Sequence, residues 1–120
     1  MRIILASKSG VRKKILNDFK IDCQVIASQV DEDEVKKSLL AEGADPLIIS
    51  KNLAEIKSIK VSSKNPDRLV IGADSVISLQ NQLINKPRSR DEALSILKKL
   101  NNSVHYLITS VCISKNGAMI

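Results

Sequence analysis

The chain has 120 residues, of which 43% are hydrophobic and 2% aromatic, and it carries a formal net charge of +6. This length suits one domain over residues 1–120, with a core of aliphatic side chains. No apolar run approaches the roughly 20 residues of a membrane-spanning helix, and Ser7 ends the first run too soon for a signal peptide. The positive charge suits an anionic partner, but the scarcity of aromatic residues argues against nucleic acid. We therefore expect a cytoplasmic protein that has no membrane partner.

The first half of the chain predicts two short strands and three helices. An unbroken apolar run predicts a buried strand over Arg2–Ala6, and helical spacing follows from about Gly10 to Lys20. A proline after a capping aspartate marks the start of a longer helix at Asp45-Pro46. The predicted elements are a strand at Arg2–Ala6, a helix at 10–20 capped by Ser9, a weak strand at Cys23–Ile26, a short helix capped by Asp31 or Asp33 and running toward Glu42, and a helix from Pro46 to about Ser62.

The second half predicts more strands than helices. Leu69–Ile71 is a buried strand whose end Gly72 loosens, and Val76–Leu79 resumes extended structure. After a turn at 80–82 and a brief strand at Leu83-Ile84, Ser89 and Glu92 form a capping box. That box opens a helix with an apolar face, and Val104–Ser114 is the longest predicted strand. Asn116-Gly117 is a hairpin turn signal. The order of elements indicates an α/β fold.

The junction after the first strand is a candidate phosphate site. Ser7, Lys8 and Ser9 lead into a helix that carries Arg12 in its first turn. Free N–H groups and the positive end of a helix suit phosphate, and hydroxyl and guanidinium groups add directional donors. The alternative is a capped helix with solvated serines and a surface arginine, because the glycine-rich P-loop pattern is absent.

Asp74 is the candidate catalytic carboxylate. It follows a buried strand and Gly72-Ala73, so we expect it at the carboxyl end of a strand, where open α/β sheets bind ligands. A carboxylate there can hold a divalent cation or orient a water for attack on a phosphoanhydride. The alternative is an aspartate that forms a turn with its own backbone.

Three further charged residues are open to two interpretations each. Lys57 interrupts the apolar face of its helix, so it either extends outward or reaches an internal anion. Lys86 precedes Pro87 in a stiff corner and is a second basic candidate, whereas Glu32 could reach a metal. A solvated charge is the alternative for each of them.

Taken together, these segments resemble the Maf-like family of nucleoside triphosphate pyrophosphatases, known from the septum formation protein Maf. Five segments match its motifs in the family's order, and they span most of the chain: LASKSGVRKKIL, VDED, LAEIK, VIGADSVISLQNQLINKP and LKKLNNSVHYLITSV. The resemblance implies a mixed twisted sheet flanked by helices, of the ITPase type, and hydrolysis of a nucleoside triphosphate to a monophosphate and pyrophosphate.

The same resemblance assigns roles to individual residues. Asp74 becomes the catalytic residue and, with Glu32, a ligand of a divalent cation, magnesium or manganese. The residues implied to contact the polyphosphate of the nucleoside triphosphate are Ser7, Ser9, Arg12, Lys57 and Lys86. A homodimer is also possible.

Departures from the family pattern bear on specificity and on length. Val11 stands where many members have arginine, and non-arginine forms include members that act on 7-methyl-GTP. Ser75 stands where the pyrimidine-preferring group tends to have threonine, so the preferred base stays open.

Members usually continue well past Asn116-Gly117, so we expect a chain whose C-terminal part is missing and whose activity is poor or absent. A non-catalytic nucleotide-binding or nucleic-acid-binding domain is the competing hypothesis, and a purely structural scaffold is the third.

Overall fold

The computed structural model describes residues 2–120, which form a mixed six-stranded sheet with four helices. The strands are β1 (Ile3–Leu5), β2 (Cys23–Val25), β3 (Val70–Leu79), β4 (Gln82–Ile84), β5 (His105–Lys115) and β6 (Ala118–Met119). The helices are α1 (Gly10–Asp18), α2 (Glu32–Ala41), α3 (Pro46–Lys64) and α4 (Arg90–Leu100). This confirms the predicted α/β fold and the predicted order of elements. Among residues 2–120, no helix is long and apolar enough to cross a membrane.

Each helix begins where the sequence placed a capping side chain. In all four, the oxygen of the cap accepts a hydrogen bond from the backbone N–H three residues later, at 2.9–3.2 Å; the caps are Ser9, Asp31, Asp45 and Ser89. Such a cap satisfies one of the free N–H groups at a helix start. Local sequence therefore determines where these helices begin.

The strand order is β2-β1-β3-β5-β6, with β4 paired to β3 off this path. β1 runs parallel to both β2 and β3, whereas β5 is antiparallel to β3 along all of Val70–Leu79. On the other edge of β3, β1 pairs with Val70-Ile71 and β4 pairs with residues 77–79. Residues 72–76 therefore have no strand partner on that edge, which leaves a gap in the sheet.

The predicted break at Gly72 is wrong, because β3 is one continuous strand. A Cβ at Gly72 would lie 2.4 Å from the carbonyl oxygen of Ala54 and 2.8 Å from Cβ of Ser58. The glycine therefore serves the close approach of α3 and does not loosen the chain. Asp74 consequently lies in the middle of β3. The prediction from the sequence, which placed it at the carboxyl end of a strand, is wrong.

Helix α3 covers one face of the sheet with small side chains as well as aliphatic ones. Ile49 and Leu53 are buried as predicted, and Ser50, Ser58 and Ser62 are fully buried beside them. The buried serine hydroxyls have polar partners, since Ser58 hydrogen-bonds the hydroxyl of Ser114 on β5 at 2.7 Å. Small hydrogen-bonded residues let the helix lie close to the sheet without leaving buried polar groups unpaired.

The apolar face predicted on α4 is present, but it is exposed to solvent. Leu97 is 62% exposed, and α4 has no buried residue. Within residues 2–120, no element packs closely against this helix. The hairpin turn is confirmed, because Asn116 and Gly117 both have positive φ and β6 pairs with β5 after them.

Candidate functional site

A cavity of about 310 Å³ opens at one edge of the sheet. Because β1 and β2 are parallel neighbours, the loops after both strands reach this edge, and residues 7–9 and 28–30 line the cavity. The carboxyl ends of neighbouring parallel strands are the usual ligand-binding edge of α/β proteins. Other elements add charged side chains to the wall: Arg12, Glu32, Lys57 and Lys86.

A network of hydrogen bonds on this wall connects Ser7, Ser9 and Arg12. The backbone N–H of Ser9 donates to Oγ of Ser7 at 3.0 Å, and Nη1 of Arg12 donates to the same oxygen at 3.1 Å. The Ser9 hydroxyl in turn caps α1. The network holds the guanidinium at the start of a helix, where the helix dipole and the side-chain charge both favour an anion.

Arg12 also joins the loop to the sheet. Its Nη2 donates to Oγ of Ser75 on β3 at 3.2 Å, and Ser75 hydrogen-bonds the hydroxyl of Thr109 on β5 at 2.9 Å. Thr109 lies directly opposite Ser75 in the antiparallel register. This series of hydrogen bonds holds the guanidinium between the loop before α1 and the gap in the sheet.

Lys57 reaches an internal pair of carboxylates. Its Nζ lies 3.2 Å from Oδ1 of Asp74 and 3.3 Å from the carbonyl oxygen of Ala73, and it forms an ion pair with Glu32. The side chains of Lys57 and Asp74 are buried, and that of Glu32 is partly exposed. One ammonium therefore holds together two carboxylates that are 42 positions apart in sequence.

The two carboxylates have shifted pKa values in opposite directions. Burial raises the pKa of Asp74, and the charge and hydrogen bond of Lys57 oppose this shift without cancelling it. Burial also acts to raise the pKa of Glu32, but the hydrogen bond and charge of Lys57, helped by Lys36 and Lys86, outweigh it and lower the pKa. The pKa of Asp74 is therefore above its usual value while that of Glu32 is below its own, and Oδ2 of Asp74 has no hydrogen-bond partner.

The cavity contains most, but not all, of the predicted site. Asp74 lies behind Lys57 in the gap of β3 and not on the cavity wall, and Ser75 joins the wall through Arg12. Val11 is 70% exposed on α1 and does not line the cavity. The predicted residues that do share one wall are Ser7, Ser9, Arg12, Glu32, Lys57 and Lys86.

Several residues of the cavity wall were not predicted from the sequence. Lys8 was noted only as part of the loop, and Ser28, Gln29 and Val30 carry no recognisable motif. The predicted strand at Cys23–Ile26 could have indicated them, because a strand parallel to the first one would bring its following loop to the same edge. Thr109 could be found only from the register of β5 on β3.

A divalent cation would have two carboxylates available here. Among residues 2–120, no cluster of three or more His, Cys, Asp or Glu side chains could form a complete protein cage. Mg²⁺ is commonly held by one or two carboxylates, with water and substrate phosphates completing its shell. The partnerless Oδ2 of Asp74 and the partly exposed Glu32 fit such a cation.

Comparisons with known proteins identify a family and several relatives that are similar to this chain. Residues 2–119 match the family model described as "Maf-like protein". A nucleoside triphosphate pyrophosphatase of Pelagibacter ubique (strain HTCC1062) is 59% identical over 118 residues, which cover 98% of this chain and 60% of that relative. The dTTP/UTP pyrophosphatase of Aquifex aeolicus (strain VF5) is 36% identical over 94% of this chain and 56% of its own length.

A third relative is named for a different substrate. The 7-methyl-GTP pyrophosphatase of Brucella abortus biovar 1 (strain 9-941) is 34% identical over 98% of this chain and 59% of that relative. The chain therefore spans 56–60% of the length of these three curated relatives.

Proposed function

Because this chain belongs to the Maf-like family, we propose that it hydrolyses a nucleoside triphosphate to a nucleoside monophosphate and pyrophosphate. The buried cluster of Lys57, Asp74 and Glu32 beside a basic, hydroxyl-lined cavity is the observation that carries this proposal. It combines a carboxylate of raised pKa with several cations, which is what cleavage of a phosphoanhydride by water requires.

Asp74 is the proposed general base. Its raised pKa brings it closer to neutral pH than an ordinary aspartate, and Oδ2 is free to accept a proton from a water. The attacking oxygen forms a bond to the α-phosphorus, and the bridging oxygen leaves with the pyrophosphate. Because Lys57 lies between Asp74 and the cavity, its ammonium has to shift toward the incoming phosphate before the water can reach Oδ2.

Charge neutralisation is the second part of the mechanism. A triphosphate brings about four negative charges, and catalysis by enzymes of this kind depends largely on positioning and electrostatic stabilisation. Arg12, Lys57 and Lys86 offer three cations to the polyphosphate, while Ser7 and Ser9 orient it through hydrogen bonds. We propose substrate-binding roles for all five residues.

A divalent cation, magnesium or manganese, is the proposed cofactor. Glu32 would hold it directly and Asp74 would hold it through a water, which leaves Oδ2 able to accept a proton; when bound, the cation would add positive charge at the phosphates and polarise them. Mg²⁺ added with a non-hydrolysable triphosphate should raise the melting temperature more than either addition alone. The Glu32→Gln variant should lose this synergy, whereas Glu34→Gln, on the exposed first turn of α2, should keep it.

Val11 and Ser75 are the proposed specificity residues. Ser75 hydrogen-bonds Arg12, so a change in its size or hydrogen bonding would alter the position of the guanidinium. Val11 precedes Arg12 on an exposed face, where a longer side chain could extend toward the base. Steady-state comparison of UTP and 7-methyl-GTP as substrates of Val11→Arg and Ser75→Thr tests these roles.

The remaining expectations from the sequence stay predictions. Residues 1–120 are proposed to act as one Maf-like domain, and a nucleoside triphosphate substrate is consistent with the cytoplasmic location expected above. A homodimer also stays a prediction, and sedimentation of the purified chain at several concentrations tests it.

The decisive experiment substitutes Asp74 with Asn. Pyrophosphate release with Mg²⁺ should fall at least about a hundredfold, as expected for loss of a general base, while calorimetry should show nucleotide affinity retained. Asp18→Asn, at the exposed end of α1, is the matched control and should keep the turnover of the unaltered chain. Equal turnover by the Asp74→Asn variant would show that Asp74 is not the general base, and the absence of pyrophosphate release from the unaltered chain would favour a non-catalytic nucleotide-binding domain.

A further inference from the structure

A second cavity adjoins the one described above and shares two wall residues with it. Its volume is about 520 Å³, and Glu32 and Lys86 line both cavities. One side is the face of α2 that carries Asp33, Lys36, Lys37 and Leu40, which lie three and four positions apart and therefore share a helix face. The segment that follows β4, residues 85–88, forms the other side.

The walls of this second cavity carry an excess of unpaired positive charge. Its cations are Lys36, Lys37, Lys86 and Arg88, and its two carboxylates are Glu32 and Asp33. Glu32 is already paired with Lys57. Within residues 2–120, none of the four cations has a carboxylate oxygen within 4.0 Å. Four cations that converge on one concave surface without partners raise the local concentration of anions.

Two observations connect this surface to the chemistry of the site. Lys36 lies close enough to lower the pKa of both Glu32 and Asp74 through its charge. β4 pairs with β3 on the same edge as β1, so Lys86 returns to the cavity that contains Ser7 and Arg12. The second cavity therefore adjoins the first at Glu32 and Lys86, and Arg12 does not line it.

We propose that this basic groove, lined by Lys36, Lys37, Lys86 and Arg88, binds the two distal phosphates of the substrate and retains pyrophosphate after cleavage. The inference rests on the proposed function for the identity of the substrate. When water attacks the α-phosphorus, the bond to the bridging oxygen breaks and its electron pair leaves with the pyrophosphate. Negative charge then grows on that group, which is where unpaired cations are most effective.

Arg88 and Lys36 are two of the cations that line this groove and do not line the first cavity. Arg88 offers a planar fork that suits two phosphate oxygens, and Lys36 faces it from α2 as a mobile point charge. Neither residue lines the wall with Ser7 and Arg12. Their loss should weaken binding of the distal phosphates and leave binding of a monophosphate unchanged.

The test measures binding of inorganic pyrophosphate by calorimetry at fixed ionic strength. The double variant Lys36→Gln/Arg88→Gln is compared with Lys98→Gln/Lys99→Gln, which removes the same charge from α4, outside the groove. We expect the dissociation constant to rise about tenfold per charge in the groove variant, since one charge-assisted hydrogen bond has about that effect. The control should stay within about twofold of the unaltered chain.

Binding of UMP and GMP completes the design. The monophosphates should bind both double variants equally well. If pyrophosphate affinity falls equally in both, or if monophosphate affinity falls with it in the groove variant, the groove is not a pyrophosphate site. These titrations need no turnover, so the absence of pyrophosphate release from the unaltered chain would overturn the proposed function but would leave the result of the titrations unchanged.

Discussion

Nζ of Lys57 lies 3.2 Å from Oδ1 of Asp74, while Oδ2 of that carboxylate has no hydrogen-bond partner. The same ammonium is paired with Glu32. In a buried setting, one cation between two carboxylates is sensitive to the loss of any member, because the remaining charges have little solvent to screen them.

Replacing Lys57 with Met should destabilise the fold. Asp74 and Glu32 would then lie close together with no cation between them, and breaking a buried ion pair from one side typically lowers the free energy of unfolding by about 3–5 kcal/mol. The partial exposure of Glu32 places the expected loss near the lower end. Urea denaturation near neutral pH measures it.

The control for this variant is Lys98→Met, on an exposed face of α4, which should change the free energy of unfolding by less than about 0.5 kcal/mol. Without Lys57 the pKa of Asp74 in the folded state should rise further above its unfolded value. Protonation then favours the folded state, so the deficit of Lys57→Met should narrow as the pH falls toward about 5. A deficit that widens on acidification would contradict the ion-pair explanation.

The activity of the chain should fall on the acid side at a higher pH than an ordinary aspartate would give. A general base acts as the carboxylate, and burial raises the pKa of Asp74, so protonation removes the active form earlier as the pH drops. The acid limb of kcat/KM against pH reports this pKa. Lys57→Gln should move the limb to still higher pH, because the lysine charge holds the pKa of Asp74 down.

Gly72→Ala should destabilise the fold by about 1–3 kcal/mol, the usual range for overpacking. The new methyl group would meet backbone atoms of α3, and those atoms cannot move without shifting the helix. Gly10→Ala is the matched control, since a Cβ there meets nothing within 4 Å at the start of α1. Thermal unfolding should show a lower midpoint for the first variant only.

Arg12→Gln should raise KM for the triphosphate about tenfold or more. The substitution removes a charge from the cavity together with the bonds to Ser7 and Ser75, and a charge-assisted hydrogen bond is worth about 1.5–3 kcal/mol. Lys13→Gln removes a neighbouring charge that is exposed and lies outside the cavity. Equal effects from both variants would show that only the overall charge of α1 matters.

Local signals in the sequence predicted the elements well, and contacts between distant residues explain the errors. Helix starts at Ser9 and Asp45 depend on a few neighbouring positions, so they could be predicted. Gly72 was interpreted as a break because glycine often interrupts strands, whereas its actual role depends on Ala54 and Ser58 in another element. No rule based on neighbouring positions contains that contact.

In the candidate site, too, neighbouring residues predict some features and contacts between distant residues determine the others. Lys57 and Asp74 were each ambiguous alone, and only the resemblance to a family joined them before the structure was known. Their burial and the free Oδ2 follow from the packing of α3 on β3, which the sequence does not express. Lys36 gave no signal, because a lysine on a helix is ordinarily solvated. Its relation to the carboxylates appears only when α2 is placed beside them.

The serines of α3 have a consequence for how this enzyme family can vary. Ser50 and Ser58 act as spacers that set the height of the helix above β3, and Lys57 has to span that height to reach Asp74. A change from serine to valine would look harmless by hydropathy but would lift the helix and withdraw the ammonium. Substitutions at Ser50 and Ser58 are therefore limited by the distance that the Lys57 side chain can span to Asp74, as well as by packing.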